Sequence, residues 1–284
     1  MNAEISHATF LNQPANTPTN NPLIIAHRGA SLGAPENTLA AFALAMESGA
    51  DGIELDVRLS RDGVPVVIHD ATLQRTGLRP EAVATLSADQ LATVDVGSWF
   101  NQANPQRERT EYASERVSRL DQVLRLLEES SPTWANRSPR VYVEMKTEVA
   151  RDFRLANAVA RLINELQAHA HVVVISFDLA AIARVRAIDP AIRTGALFEP
   201  QLSPMQLFQK HKIVSGAVDA GAWEILLHHV LATRAVVELA GESCLTTVVW
   251  TVDDPGWRLR ARNLGIPALI TNDPAGFVST SRAE

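Results

Sequence analysis

The sequence predicts an α/β fold, namely a (β/α)8 or TIM barrel with a small insertion after a β-hairpin that extends the second strand. Short apolar runs rich in β-branched residues recur along the chain, and helical patterns separate most of them. There are eight such runs, and eight alternating units favour a closed barrel over a doubly wound sheet. The length of 284 residues, 46% of them hydrophobic, suits one domain with one large core.

The predicted barrel strands are short, as expected of strands that are buried on both faces. They cover residues 23–26, 52–57, 141–145, 172–176, 194–198, 224–227, 247–251 and 268–271. Between the first two strands, a helix is predicted over residues 38–48, because Asn37 or Thr38 can cap its N-terminus and Gly49 lies just past its end.

An additional strand is predicted over residues 64–69, and its distance from the strand before is too short for a crossover helix. Asp62-Gly63 between apolar runs is a strong hairpin signal. The second barrel strand is therefore predicted to extend beyond the rim and to fold back antiparallel. A two-residue turn at these positions would place His69 opposite Asp56, on the face that also carries Glu54.

Two segments depart from the barrel pattern. Residues 1–21 are polar and rich in Asn, Thr and Pro, with neither the pattern of a signal peptide nor that of a membrane anchor. We expect a disordered N-terminal tail there, followed by one barrel domain over residues 22–284. An insertion is expected at about residues 71–140, above the barrel rim, where its charged loop would shape access to a site.

The charge balance and the cysteine content limit the classes of partner. A net charge of −6 gives no footprint for nucleic acid or for an anionic membrane surface. Cys244 is the only cysteine, as expected of a reduced compartment. We therefore expect a cytoplasmic protein that acts on a small-molecule substrate, without nucleic acid or stable membrane association, and a homo-oligomeric state is left open.

His27 and Arg28 lie at the carboxyl end of the first strand, on the face where barrel enzymes place their catalytic residues. Arginine offers a planar fork of donors to phosphoryl oxygens, and histidine titrates near neutral pH, so the pair suits phosphate chemistry. Taken alone, His27 is more consistent with a rim histidine that a neighbouring carboxylate satisfies.

Three carboxylates are predicted to converge beside this pair. Glu54 and Asp56 stand two residues apart at the end of an apolar strand, and Glu144 and Lys146 repeat this spacing on the next strand. Because buried carboxylates without partners are costly, such charges require a cation. An all-oxygen set suits one Mg²⁺ or Ca²⁺ ion. The alternative is an ion-pair network in which Lys146 neutralises Glu54 or Glu144.

His69 adds a second histidine, which the hairpin returns to the level of Asp56. Two histidines that flank a metal can divide the roles of base and acid in the cleavage of a phosphodiester. Neither spacing is specific alone, whereas the constellation of two histidines and three carboxylates is specific.

Several segments, in this order, resemble the glycerophosphodiester phosphodiesterase family in its soluble bacterial type. They are 26–30 (AHRGA), 35–38 (PENT), 49–57 (GADGIELDV), 66–70 (VVIHD), 144–146 (EMK), 176–177 (SF), 250–252 (WTV) and 271–274 (TNDP). The resemblance therefore covers the chain from about Pro22 to Pro274.

This resemblance implies a TIM-barrel hydrolase that uses one divalent cation to cleave glycerophosphodiesters to sn-glycerol 3-phosphate and an alcohol. It also implies two catalytic histidines, His27 and His69, which share the acid and base roles in an unassigned order. The implied metal ligands are Glu54, Asp56 and Glu144, and the implied substrate-binding residues are Arg28, Lys146 and Trp250.

The chain departs from the family pattern at Asp253, where asparagine is frequent, and at Asn272-Asp273, where Asp-Pro commonly follows the threonine directly. These departures leave the preferred leaving alcohol open. Two alternative functions also stay open: lysophospholipase D-like cleavage of a lipid phosphodiester, which would require an apolar rim, and a non-catalytic module that binds a phosphate ligand. His228-His229, after the sixth strand, is interpreted as structural or rim-lining.

Overall fold

The computed structural model describes residues 21–129, 139–149, 151–200 and 209–280. Nearly all of the predicted tail and the last four residues of the predicted domain lie outside these ranges. Within them, strands and helices alternate along the chain.

The strands are β1 (Leu23–His27), β2 (Gly52–Leu59), β3 (Pro65–Val67), β4 (Arg140–Met145), β5 (Val172–Ser176), β6 (Arg193–Phe198), β7 (Glu224–His228), β8 (Thr246–Trp250) and β9 (Ala268–Thr271). The α-helices are α1 (Leu39–Glu47), α2 (Ala88–Leu91), α3 (Ser98–Ala103), α4 (Leu120–Glu129), α5 (Arg154–Leu166), α6 (Leu179–Ile188), α7 (Gln209–Asp219), α8 (Arg234–Glu242), α9 (Trp257–Leu264) and α10 (Pro274–Thr280). Of the helices in the described part of the chain, none combines the length and the apolar character that a bilayer span requires.

Eight of the strands form a closed parallel barrel. Their order is β1-β9-β8-β7-β6-β5-β4-β2, and β2 pairs with β1 to close the ring. Every pairing around the ring is parallel, whereas β3 pairs antiparallel with β2. The predicted (β/α)8 barrel is confirmed, and the ends of the predicted barrel strands agree with the structure to within two residues.

Two apolar layers position the upper part of the barrel. The outward-facing residues of β2, among them Leu55, are buried in one cluster with Phe42 of α1. A separate cluster, which includes Ile25 and Tyr142, fills the barrel interior. Because side chains alternate along a strand, His27 also points inward, two residues after Ile25 and one layer nearer the carboxyl rim.

Helix α1 begins and ends as the sequence predicts. Its N-cap is Thr38, whose hydroxyl accepts a hydrogen bond from the N–H of Ala41 at 3.3 Å. Gly49 follows the helix with a φ of +82°, a left-handed conformation that favours glycine. The helix packs against the turn that follows β1, where the N–H of Ala30 donates to the carbonyl of Ala41 at 2.9 Å.

The turn between β2 and β3 is one residue longer than predicted. The N–H of Ser60 donates to the carbonyl of Val64, and the N–H of Gly63 donates to the carbonyl of Ser60, both at 3.0 Å. The loop therefore contains residues 61–63 instead of a two-residue turn. Gly63 has a φ of +79°, which glycine adopts without steric cost and which closes this type of three-residue loop.

The longer loop shifts the register of β3 by one position. The N–H of Ile68 donates to the carbonyl of Asp56, so the predicted pairing of Asp56 with His69 is wrong. Strand β3 ends at Val67 and the chain bends at His69, whose carbonyl accepts from Arg58 Nε at 2.7 Å. This bend, and not strand pairing, brings the His69 side chain to the rim.

The segment between β3 and α4 is anchored by two small apolar clusters. One cluster packs Leu73 and its neighbours against Val66 of β3. The other packs Phe100 and Tyr112, whose rings meet edge to face at 5.7 Å, against Ala41 of α1. The segment therefore lies beside the carboxyl rim of the barrel.

Candidate active site

The carboxyl ends of β1, β2 and β4 bring the predicted site residues together. In the parallel register, His27 pairs with Glu54 and Asp56 pairs with Glu144. Residues that pair in register lie side by side and point to the same face, which is here the barrel interior. The structure therefore gathers one histidine and three carboxylates just below the rim.

Glu54, Asp56 and Glu144 form a cluster that fits one divalent cation. One oxygen from each carboxylate lies within 4.8 Å of the other two, which is about the span of opposite ligands around one Ca²⁺ ion at about 2.3–2.6 Å. The three residues are only 2%, 0% and 7% exposed. Glu54 Oε1 is buried and has no hydrogen-bond partner, and the buried oxygens Asp56 Oδ1 and Glu144 Oε1 have none apart from the ammonium group of Lys146. Carboxylate oxygens that converge in a buried pocket are suitable ligands for a hard cation, so this set fits Mg²⁺ or Ca²⁺.

Two cationic side chains neutralise part of the acidic cluster. Lys146 Nζ lies 3.0 Å from Asp56 Oδ1 and 2.5 Å from Glu144 Oε1. Arg28 Nε lies 3.1 Å from Asp56 Oδ2. The ion-pair network that was the alternative to a metal site is therefore present. Two cations face three carboxylates, so the network by itself does not balance three ionised groups and is compatible with a metal ion at this cluster.

The pKa values of the three carboxyl groups diverge. Burial and then the charge of Asp56 raise the pKa of Glu144 from 4.5 to about 7. Burial, Asp56 and Glu144 raise the pKa of Glu54 well above its usual value. Burial acts in the same direction on Asp56, but Lys146 and Arg28 outweigh it and the pKa of Asp56 is lowered. Glu54 and Glu144 are therefore the two carboxyl groups at which a proton would compete with a bound cation.

Asn37 holds the Asp56 carboxylate in place. Asn37 Nδ2 donates to Asp56 Oδ2 at 2.8 Å, and the N–H of Asp56 donates to Asn37 Oδ1 at 3.1 Å. Asn37 lies within the family segment 35–38 and was predicted as a candidate helix cap, a role that Thr38 fills, but not as a site residue. Its φ of +58° is a left-handed conformation in which asparagine is enriched, and this preference was the available signal.

Arg28 is oriented by two glutamates. The backbone N–H of Arg28 donates to Glu54 Oε2 at 3.0 Å, and its guanidinium Nη1 donates to Glu36 Oε1 at 2.9 Å. Glu36 also accepts from two nitrogens of Arg75, at 2.7 and 2.8 Å. Glu36 and Arg75 were not predicted as site residues, although Glu36 lies in the segment 35–38 that carries the family resemblance, because their contact joins positions 39 residues apart.

His27 is oriented through its Nδ1 atom. This atom lies 2.7 Å from Asn272 Oδ1, and Nε2 lies 3.9 Å from Glu54 Oε2. Burial and the charge of Arg28 lower the pKa of His27 from 6.5 to about 4. The ring is therefore neutral at neutral pH, with Nε2 on the side of the acidic cluster.

His69 has a carboxylate partner. Its Nδ1 lies 2.6 Å from Asp70 Oδ1, and Asp70 Oδ2 accepts from Arg75 Nε at 2.7 Å. Burial lowers the pKa of His69, while the charge of Asp56 acts in the opposite direction. The two histidines thus differ in what holds them: an amide for His27 and a carboxylate for His69.

A cavity of about 180 Å³ joins these groups to a wall that is mostly apolar. The residues of this wall are Ile175, Phe177, Leu197, Glu199, Trp250 and Ile270. The ring of Trp250 meets those of Phe177 and His228 edge to face, at centroid distances of 5.6 and 5.4 Å. His228 therefore supports the rim, whereas the ring of His229 lies 6.1 Å from that of Trp257 in the outer layer.

Comparisons with known proteins agree with this geometry. The model of the glycerophosphoryl diester phosphodiesterase family matches residues 27–276. A glycerophosphodiester phosphodiesterase from Caldanaerobacter subterraneus is 29% identical over 92% of this chain and 98% of its own length. The crystal structure of a glycerophosphodiester phosphodiesterase from Agrobacterium tumefaciens has a TM-score of 0.71 at 27% identity, over 91% of this chain and 99% of that one. An Oleispira antarctica phosphodiesterase, solved in complex with the product sn-glycerol-3-phosphate, has a TM-score of 0.73 at 24% identity, over 92% and 97% of the two chains.

Proposed function

Because the chain belongs to the glycerophosphoryl diester phosphodiesterase family, we propose that it hydrolyses glycerophosphodiesters to sn-glycerol 3-phosphate and an alcohol. The chain is a phosphoric diester hydrolase. The observation that carries the proposal is the set of three buried carboxylates, whose oxygens converge to within 4.8 Å of one another, beside two histidines and two cationic side chains. This set provides for a metal ion, for the phosphate and for two proton transfers.

Glu54, Asp56 and Glu144 would hold one Mg²⁺ or Ca²⁺ ion, which when bound polarises the phosphoryl oxygens. Arg28 and Lys146 line the same cavity and have more donors than their ion pairs engage. These two side chains bind the phosphate and stabilise the negative charge that grows on its oxygens in the transition state.

His27 acts as the general base and His69 as the general acid. Burial and the charge of Arg28 keep His27 neutral, and the amide next to it adds no negative charge that would oppose this, so the ring can accept a proton. The Asp70 carboxylate next to His69 stabilises the protonated ring that can donate one. Nε2 of His27 takes the proton of the attacking hydroxyl, from water or from the glycerol of the substrate, and Nε2 of His69 protonates the departing alkoxide.

The leaving alcohol lies against the wall that contains Phe177, Glu199 and Trp250. Aromatic faces attract cations, and they do so most strongly when the cation is desolvated. Glu199 adds a negative charge to this wall, and its charge also acts on His228. We therefore expect a positively charged alcohol such as choline to be preferred over an uncharged one.

One observation favours a second substrate class, the lysophospholipids. Val149, Phe177 and Val230 are 63%, 40% and 60% exposed, in loops that follow β4, β5 and β7 at the carboxyl rim. An acyl chain would contact such apolar side chains. Cleavage of a lysophospholipid by the same catalytic groups is therefore the alternative function.

A substrate panel tests the proposal. Glycerophosphocholine, glycerophosphoglycerol and lysophosphatidylcholine are assayed after chelation and after Mg²⁺ or Ca²⁺ is added back, and the phosphorus products are identified by NMR. We expect cleavage of both glycerophosphodiesters to sn-glycerol 3-phosphate, loss of activity on chelation and recovery with metal. Faster cleavage of lysophosphatidylcholine would favour the second class, and no cleavage of any of the three would contradict both.

A further inference from the structure

Asp253, Asn272 and His27 form a hydrogen-bonded chain that leads away from the acidic cluster. Asp253 follows β8, Asn272 follows β9 and His27 ends β1, so the chain crosses three adjacent strands of the barrel. Asn272 Oδ1 lies 2.7 Å from His27 Nδ1, and Asn272 Nδ2 donates to Asp253 Oδ2 at 2.8 Å.

Asp253 determines which way the amide of Asn272 points. An ionised carboxylate only accepts hydrogen bonds, so the amide group that faces it must be the NH₂ group. The Asp253 carboxylate is itself held, because its Oδ1 accepts from the N–H of Asn272 at 2.8 Å and from Thr271 Oγ1 at 3.1 Å. On the other side, Ser31 Oγ donates to Asn272 Oδ1 at 3.1 Å. Asp253 therefore requires this amide orientation, and the Ser31 hydroxyl, which can donate or accept, is compatible with it.

The amide orientation determines the tautomer of His27. Because the oxygen of Asn272 only accepts, His27 Nδ1 must carry a hydrogen. In the neutral ring the lone pair is then on Nε2, the atom that lies on the side of Glu54. We propose, on the basis of the proposed function, that Asp253 and Asn272 are positioning residues that hold His27 as the Nδ1–H tautomer and make Nε2 the proton acceptor.

In this proposal Asp253 acts only through Asn272. The sequence departs from the family pattern at both positions, and in the structure the two side chains are bonded to each other. An amide at position 272 orients the ring without placing a negative charge next to it. Asp70, by contrast, places a carboxylate directly on His69. The two histidines are thus held by different chemistry, as separate base and acid roles require.

The tautomer can be measured directly by ¹⁵N NMR of histidine-labelled, Mg²⁺-loaded protein at pH 8, with the His27 signals assigned by His27→Asn. We expect a protonated Nδ1 and an unprotonated Nε2. In Asp253→Asn the backbone N–H of Asn272 still requires an acceptor, so the introduced amide turns its oxygen to that N–H and its NH₂ group to the Asn272 side chain. We therefore expect the Asn272 amide to turn over and the His27 tautomer to shift towards Nε2–H. Asp254→Asn is the matched control, because this neighbouring carboxylate accepts from the N–H of Gly256 and should leave His27 unchanged.

Kinetics supply the second readout. Asp253→Asn should lower kcat for glycerophosphocholine by about ten- to a hundredfold, as for other outer-shell partners, with little change in KM. The double variant Asp253→Asn, Asn272→Asp restores a single hydrogen-bonding pattern, because the carboxylate introduced at position 272 can accept both from His27 Nδ1 and from the amide introduced at position 253. We expect it to recover the Nδ1–H tautomer and most of the lost kcat.

An unprotonated Nδ1 in the native protein would overturn the proposal, and this measurement holds even if a variant does not fold. The native tautomer in Asp253→Asn would also overturn the proposal if kcat is unchanged. It would overturn it equally if kcat falls together with the melting temperature Tm, because the loss would then come from lower stability. If the native protein cleaves no phosphodiester while the tautomer responds as expected, the proposed function fails and the positioning role stands.

Discussion

Asp56 on β2 and Glu144 on β4 are paired in register, so that two buried carboxyl groups of neighbouring strands lie side by side in the barrel interior. Lys146 contacts both of them. Burial and the charge of Asp56 nevertheless raise the pKa of Glu144 to about 7. A metal ion that binds here must therefore displace a proton from Glu144 below that pH.

The affinity for Mg²⁺ should fall as the pH falls through 7. Glu144 is ionised above its raised pKa and protonated below it, and only the ionised carboxylate binds a metal ion. Between pH 8 and pH 6 we expect the Mg²⁺ dissociation constant to increase by about tenfold or more. A ligand with the usual pKa of 4.5 would leave it unchanged over this range. Isothermal titration calorimetry at pH 6, 7 and 8 measures this effect.

Two variants control this measurement. Glu144→Gln should weaken Mg²⁺ binding and reduce the dependence on pH, because the substituted side chain does not titrate and the raised pKa of Glu54 accounts for the dependence that remains. Glu47→Gln, at the exposed end of α1, should behave as the native protein. A dissociation constant that is the same from pH 6 to pH 8 in the native protein would contradict the raised pKa of Glu144.

The acid and base roles of the histidines can be separated with an activated leaving group. His27→Ala and His69→Ala should each lower kcat for glycerophosphocholine by about a hundredfold or more. A p-nitrophenyl ester of glycerol phosphate has a leaving group that needs no proton, so with this substrate His69→Ala should recover most of the loss and His27→Ala should not. His169→Ala, whose side chain pairs with Asp189 outside the site, is the control. Recovery in His27→Ala instead would reverse the two roles.

Local patterns are sufficient to predict the barrel and the carboxylate cluster. The two-residue spacing of Glu54 and Asp56, repeated by Glu144 and Lys146, places each pair on one face of a strand. Parallel pairing of these strands then brings the pairs together. Both steps use only the spacing of residues along a strand and the order of the strands in the barrel.

Two other features could not be predicted in this way. Asp62-Gly63 is compatible with both a two-residue and a three-residue hairpin loop, and the choice depends on the hydrogen bond that Ser60 makes to Val64. Asn272 lies 245 positions from His27, and the two side chains meet only because β9 closes the barrel next to β1. Such contacts depend on tertiary structure and leave no periodic signal.

The charge of Glu199 should influence the choice of leaving group. Glu199→Gln should lower kcat/KM for glycerophosphocholine by about two- to fivefold, the effect of one exposed charge pair, and leave glycerophosphoglycerol unaffected. Trp250→Ala should lower kcat/KM for glycerophosphocholine more strongly, because it removes the aromatic face. Competition between the two substrates in one reaction measures the ratio directly. Equal effects of Glu199→Gln on both substrates would remove this residue from headgroup recognition.

Among the glycines next to the site, Gly29 should be the one where an added methyl group lowers stability most. It follows Arg28 with a φ of +79°, and a Cβ atom there would lie 2.6 Å from the carbonyl carbon of Ala41 in α1. Gly49 has a similar φ of +82°, but its nearest contact would be Val278 Cγ1 at 3.5 Å. The two positions therefore share the backbone strain and differ in the steric clash.

Gly49→Ala should cost about 1–2 kcal/mol of unfolding free energy, which is the cost of the left-handed backbone alone. Gly29→Ala should cost at least about 1–3 kcal/mol more, because α1 must move to make room. Since α1 packs on the turn that carries Arg28, the same variant should also lower kcat/KM, whereas Gly49→Ala should not. Urea denaturation and the glycerophosphocholine assay measure the two effects. If both variants lose the same stability, the close approach of α1 does not constrain this turn, and the position of Arg28 must be held by Glu36 and Glu54 instead.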